Sequence, residues 1–156
     1  MTTIIAEAGS SHNGSKETAL ELVKIAAEAG CDWVKFQLFS GDDLWYPGDE
    51  RLQATRKLAL PEAWLPDLKK ASDDFGIGFL CTPFSIRAVN ILEKLGVEAY
   101  KISSGDLTYL PLIEEVGKTG KLVWLSVGGG TWDEINAALW AMPENDVVLL
   151  HCVPGY

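Results

Sequence analysis

Short apolar runs alternate with longer amphipathic stretches along the whole chain. The runs Ile4–Ala8, Trp33–Phe39, Gly78–Thr82, Ala99–Ser103, Leu122–Val127 and Val147–Val153 predict strands. The stretches Lys16–Ala29, Pro61–Phe75, Ile86–Leu95, Pro111–Thr119 and Trp132–Met142 predict helices. In the first of these, Ala19, Leu22, Val23, Ala26 and Ala27 recur at helical spacing. Gly30, Gly76, Gly96 and Gly120 each follow a predicted helix, where a left-handed cap is wanted. Thr131 precedes Glu134 by the spacing of a capping box, at the start of the last helix. Strict alternation of strand and helix implies a parallel sheet with the helices outside it. Two α/β architectures satisfy that pattern, a doubly wound sheet and a (β/α)8 barrel. Ser40–Leu60 is polar and rich in Gly and Asp, and it reads as a loop beside an active site.

Polar residues interrupt the apolar runs at a consistent place. Side chains alternate faces along a strand, so Lys35 and Gln37 oppose Val34, Phe36 and Leu38. Lys101 and Ser103 likewise oppose Tyr100 and Ile102. Glu7, Thr82, Ser126 and His151 occupy comparable positions near the ends of the other runs. Buried parallel strands are ordinarily almost all apolar. Placing Lys or Glu inside a sheet is costly without partners. The C-terminal ends of parallel strands are where α/β folds bind ligands, so a ring of Glu7, Lys35, Gln37, Thr82, Lys101, Ser126 and His151 is expected to line a site. Two ammonium groups with the hydroxyls of Thr82, Ser103, Ser104 and Ser126 suit a phosphate and a carboxylate. The turn Ser104-Gly105 offers backbone N–H groups to the same anion. Glu7 and Asp106 are the candidate acid–base carboxylates, although Asp106 also fits a simple turn. His151 fits a core histidine as well as a ligand, and His12 fits ordinary loop chemistry ahead of an Asn13-Gly14 turn.

Composition narrows the class of ligand. The chain has 156 residues, 47% hydrophobic, and a formal net charge of -9. Nucleic acid is a poor partner for so acidic a chain, whereas a small anion needs only a few converging cations. No apolar run approaches the ~18–20 residues of a membrane span. Met1-Thr2-Thr3-Ile4-Ile5 lacks the basic and apolar regions of a signal peptide. Cys31, Cys81 and Cys152 are odd in number, without metal-ligand spacing, and sit beside apolar segments. A cytoplasmic protein with reduced thiols is expected. Gly128-Gly129-Gly130 opens the last helix but matches no phosphate-loop pattern, and Gly41-Asp42-Asp43 reads as a solvated loop rather than a metal site. Trp64, Trp124, Trp132 and Trp140 are expected between helices and strands; Trp45 and Tyr46 fit either a lid or surface packing.

The same residues carry a resemblance. Ile4-Ile5-Ala6-Glu7-Ala8-Gly9 with Ser11-His12-Asn13-Gly14, then Ala29-Gly30-Cys31-Asp32-Trp33-Val34-Lys35-Phe36-Gln37 and Thr82-Pro83-Phe84, follow one another in order. Ala99-Tyr100-Lys101-Ile102-Ser103-Ser104-Gly105-Asp106, Leu110-Pro111-Leu112 and His151-Cys152-Val153 complete the set. Nearly end to end, the chain resembles the N-acetylneuraminate (sialic acid) synthases. The resemblance implies a (β/α)8 TIM barrel, of which residues 1–156 hold about the first six βα units as one partial domain. It implies condensation of phosphoenolpyruvate with an amino-sugar aldehyde, N-acetylmannosamine or a related sugar, with release of phosphate. Lys35, Gln37, Thr82, Lys101, Ser104 and Ser126 match phosphoenolpyruvate ligands, Glu7 and Asp106 the catalytic carboxylates, and Tyr156 a sugar-site tyrosine. A divalent metal, Mn or Mg, is implied, with ligands expected outside this chain, downstream of Tyr156. The family's small antifreeze-like domain is expected there too.

Departures from the family pattern sit at Asp106, where Glu is usual, and at Pro154, where Asn or Ser is usual. A complete barrel takes about 250 residues. A homodimer, or completion by a C-terminal polypeptide, is therefore expected. Two other functions fit the residues. One is a Schiff-base aldolase using Lys35 or Lys101 as nucleophile. The other is a non-catalytic barrel fragment whose open sheet edges need a partner chain.

Overall fold

The computed structural model describes residues 2–153. The chain forms two compact units, Met1–Cys81 and Thr82–Tyr156. All six predicted strands and all five predicted helices are present, with ends shifted by a few residues. Tyr156 and Pro154 lie outside the described residues.

In the first unit the strands β1 (Ile5–Gly9), β2 (Trp33–Leu38) and β3 (Gly78–Pro83) form one sheet in that order. β1 and β2 run parallel with Glu7 opposite Lys35, and the register slips between Glu7 and Gly9. That slip is a bulge at the C-terminal end of β1, with Gly9 at φ 51°, a left-handed conformation that suits glycine. Helix α1 (Lys16–Glu28) turns Ala19, Val23 and Ala26 inward and packs on α4 (Leu65–Phe75), which contributes Leu65 and Leu68. Ser15 caps α1 through the Thr18 N–H. Gly76 closes α4 in the left-handed conformation at φ 72°. Gly78 is required by close approach: a Cβ there would stand 2.2 Å from the Trp33 indole.

Ser40–Leu60 is not an irregular loop. It folds into α2 (Gly41–Leu44) and α3 (Leu52–Leu58), followed by a 3-10 turn at Glu62–Trp64. Its polar residues are consumed internally. Arg56 pairs with Asp42 at 2.8 Å, and the Ser40 N–H donates to Asp43 at 2.6 Å. Arg51 grips buried Asp49 with two hydrogen bonds and lies over the Trp45 ring, 3.5 Å from its centroid. Trp45 Nε1 donates to Thr55 Oγ1 at 2.7 Å. Each helix is too short for hydrophobic periodicity to show, which is why sequence pattern misses them.

In the second unit β4 (Ala99–Ile102), β5 (Leu122–Ser126) and β6 (Val147–Leu150) form a parallel sheet in that order. Helices α5 (Ile86–Leu95), α6 (Leu110–Gly117) and α7 (Trp132–Trp140) bury Leu92, Ile113 and Ile135 among others. The capping box forms as the spacing predicts, with Thr131 and Glu134 exchanging hydrogen bonds. Tyr100 is buried, and its hydroxyl donates to Glu93 at 2.6 Å. Two tryptophans depart from expectation: Trp132 and Trp140 are 75% and 80% exposed, whereas Trp124 is buried. Both exposed rings sit at the ends of α7, off the stripe of Ile135 and Ala138 that faces inward.

Candidate anion-binding site

The two strand-end lysines are buried, as the alternation predicts: Lys35 is 6% exposed and Lys101 9%. Their surroundings differ. Lys35 Nζ forms an ion pair with Glu7, its register partner on β1, and the Glu7 carboxylate is itself exposed. Gln37 follows on the same face and is half-buried. Thr82, near the end of β3, is 1% exposed, and its Oγ1 has no hydrogen-bond partner among the described residues. A buried hydroxyl without a partner costs stability unless something else satisfies it.

Lys101 lies in a closed polar cluster. Its Nζ donates to the Ile102 carbonyl at 2.8 Å and to Ser126 Oγ at 2.5 Å. Ser104 Oγ accepts from the Gly128 N–H at 3.0 Å. Asp106 stands nearby, and its Oδ2 is buried without a hydrogen-bond partner among the described residues. Burial pushes the Asp106 carboxyl up to about 6, against the opposing pull of Lys101. Cys152 Sγ lies 3.3 Å from Ser126 Oγ. Gly128 is needed where it is: a Cβ would meet the Cys152 carbonyl at 2.8 Å and Ser104 Oγ at 3.1 Å.

Several expectations are corrected. His151 does not line the inner face: β6 ends at Leu150, and His151 is exposed beyond it. The strand is an edge of its three-stranded sheet, and Val148 and Leu149 are exposed as well. The Ser104-Gly105 turn does not present free amides. The Gly105 N–H donates to Ser103 Oγ at 3.4 Å, and the Asp106 and Leu107 N–H groups donate to the Ser103 and Ser104 carbonyls. The segment closes into a 3-10 turn, so the Gly105 and Asp106 N–H groups are spent internally.

His12 is more than loop chemistry. The Asn13-Gly14 turn forms, with φ at 49° and 75°, but the imidazole is completely buried against Trp64, edge to face at 5.7 Å. Its Nδ1 accepts from the Gly14 N–H at 3.1 Å. Burial lowers its pKa, with the Leu58 backbone pulling the other way. No periodic signal marks it, because its burial is supplied by the segment holding α3 and the 3-10 turn. Cys152, inside the predicted strand Val147–Val153, lies past the end of β6. Among the described residues no three His, Cys, Asp or Glu side chains gather as a metal site. His12 and His151, the two histidines, are respectively buried against Trp64 and exposed.

Parallel βα repeats with buried lysines and hydroxyls at the strand ends define an α/β chain of the (β/α)8 barrel class, here its first six strands. The NeuB family model matches residues 22–156, and the chain belongs to that family. It is 36% identical to the N,N'-diacetyllegionaminic acid synthase of Campylobacter jejuni, over 99% of this chain and 52% of that protein. It is 42% identical to an uncharacterized protein of Methanocaldococcus jannaschii, over 99% of this chain and 47% of that one. The crystal structure of an N-acetylneuraminic acid (sialic acid) synthetase from Leptospira borgpetersenii, in complex with citrate, superposes with a TM-score of 0.94. The identity is 31%, over 99% of this chain and 56% of that one. The chain spans about half the length of the curated relatives it matches.

Proposed function

We propose that this chain supplies phosphoenolpyruvate-binding strands for a cytoplasmic synthase that condenses phosphoenolpyruvate with an amino-sugar aldehyde. The product class is a nine-carbon sialic-type acid, as the names of its relatives suggest. The observation that carries the reading is Lys101, a buried ammonium that donates to a hydroxyl and a carbonyl, near Asp106, whose buried Oδ2 has no hydrogen-bond partner among the described residues. Such an arrangement keeps a positive charge where an anion can use it. Lys35, Gln37, Thr82 and Ser104 are assigned to the same substrate from the family match, and Tyr156 to the sugar.

In the reaction, carbon 3 of phosphoenolpyruvate forms a bond to the aldehyde carbon, and the aldehyde oxygen takes up a proton. Water adds at carbon 2, and the bond from that carbon to the phosphate oxygen breaks, releasing phosphate. Lys101 and Ser126 stabilise the anionic groups throughout. Asp106, near neutrality in its pKa, is suited to hand over or collect a proton, and Glu7 is the second carboxylate assigned to that work. The implied divalent metal would polarise the aldehyde when bound. Turnover and choice of sugar are assigned to this part together with the relatives' other half.

Calorimetric titration with phosphoenolpyruvate tests this reading. Lys35→Ala, Lys101→Ala and the double variant should each weaken binding, the double variant most. A double variant that binds as tightly as the parent would falsify it.

A further inference from the structure

Cys152 follows β6, half-buried, with two acceptors in reach of its sulfur: Ser126 Oγ at 3.3 Å and the Leu150 carbonyl at 3.5 Å. A thiol carries one hydrogen, so it donates to one of them at a time. Ser126 Oγ also accepts from Lys101 Nζ at 2.5 Å. A hydroxyl oxygen has two acceptor positions and one proton. With the S–H on the Leu150 carbonyl, the sulfur is left as an acceptor for the Ser126 hydroxyl proton. With the S–H turned to Ser126, both lone pairs of that oxygen are taken, and its proton must point elsewhere.

We infer that Cys152 is a positioning residue for anion binding. Its thiol turns between Leu150 and Ser126, and in the second position it aims the Ser126 hydroxyl proton at an anion held by Lys101. The packing fixes the pivot: Gly128 lies so close that a Cβ there would stand 3.0 Å from Cys152 Cβ. Sulfur suits the task because its weak donor switches acceptors at little cost. No bond is made or broken, and the cysteine never touches the substrate. The inference rests on the proposed binding of phosphoenolpyruvate at Lys101.

The experiment is titration of phosphoenolpyruvate into the parent protein and the variants Cys152→Ala, Cys152→Ser and Lys101→Ala, with a thermal melt of each. Cys152→Ala is expected to bind about three- to tenfold more weakly, the loss of one neutral hydrogen bond. Cys152→Ser, which keeps a donor, is expected to recover most of that loss at an unchanged melting temperature. Parent-like affinity in Cys152→Ala alongside lost binding in Lys101→Ala overturns the inference and leaves the functional reading intact. Parent-like affinity in Lys101→Ala overturns both. Should Cys152→Ala fail to fold, the parent protein decides: phosphoenolpyruvate should slow iodoacetamide modification of Cys152 but not of Cys31. An unchanged rate at Cys152, or equal slowing at Cys152 and Cys31, overturns the inference.

Discussion

Two lysines near strand ends, Lys35 in the first unit and Lys101 in the second, have different surroundings. Lys35 is neutralised by a carboxylate on the adjacent strand that remains in contact with water. Lys101 donates to a hydroxyl and a carbonyl, and burial raises the pKa of its nearby carboxyl, Asp106, to about 6. Opening that first pair would leave a buried ammonium without its countercharge, so Lys35 is committed to Glu7. An ammonium oriented at a strand end by a hydroxyl and a carbonyl is preorganised to meet an anion. Residue type and strand position are therefore insufficient to predict a lysine's role; its partners decide it.

The sharpest way to break this comparison is to remove each ammonium separately. Lys101→Ala should weaken phosphoenolpyruvate binding by about 10- to 100-fold, the range for a charge-assisted hydrogen bond, and Lys35→Ala by less. Titration calorimetry checks the order, and a larger effect at Lys35 would reverse the argument.

Packing supplies the next test. Gly128→Ala forces a methyl against the Cys152 backbone and should cost about 2 kcal/mol in chemical denaturation. A neutral result would mean that the Lys101 cluster is looser than its distances suggest.

Protonation of Asp106 separates the clusters by pH. Its folded pKa of about 6 lies above the ordinary 3.8, so the folded state holds a proton that the unfolded state gives up between those values. Stability from this group is fully present below about pH 4 and is lost as pH rises through 6. Asp106→Asn should therefore be more stable than the parent at pH 7, by about 1 kcal/mol after allowance for its partial exposure, and the difference should vanish near pH 4. Urea denaturation at both pH values reads this directly.

Much of this architecture was legible in the order of residues. Alternation located every strand and every long helix, since a half-buried element must repeat its apolar positions. Glycines marked helix ends at Gly76 and Gly96 because only they enter the left-handed cap without strain. Burial of Lys35, Thr82, Lys101 and Ser126 followed from period-two placement on strands. The prediction fails where pattern length or neighbours decide the outcome. α2 and α3 are shorter than two turns of helix and are held by Arg51, Arg56 and Trp45 contacts. His151 looked inward only because β6 was drawn too long.

What the sequence by itself determined is therefore the repeating βα plan and the face on which its polar residues fall, because backbone periodicity is local. What only the tertiary structure decided is the state of those residues. Whether Lys35 meets Glu7, whether the Ser104 turn spends its amides, how far Asp106 is stripped of water and whether Cys152 reaches Ser126 all depend on atoms far apart in the chain. Charge, desolvation and hydrogen bonding act through space, and periodicity carries no record of those distances.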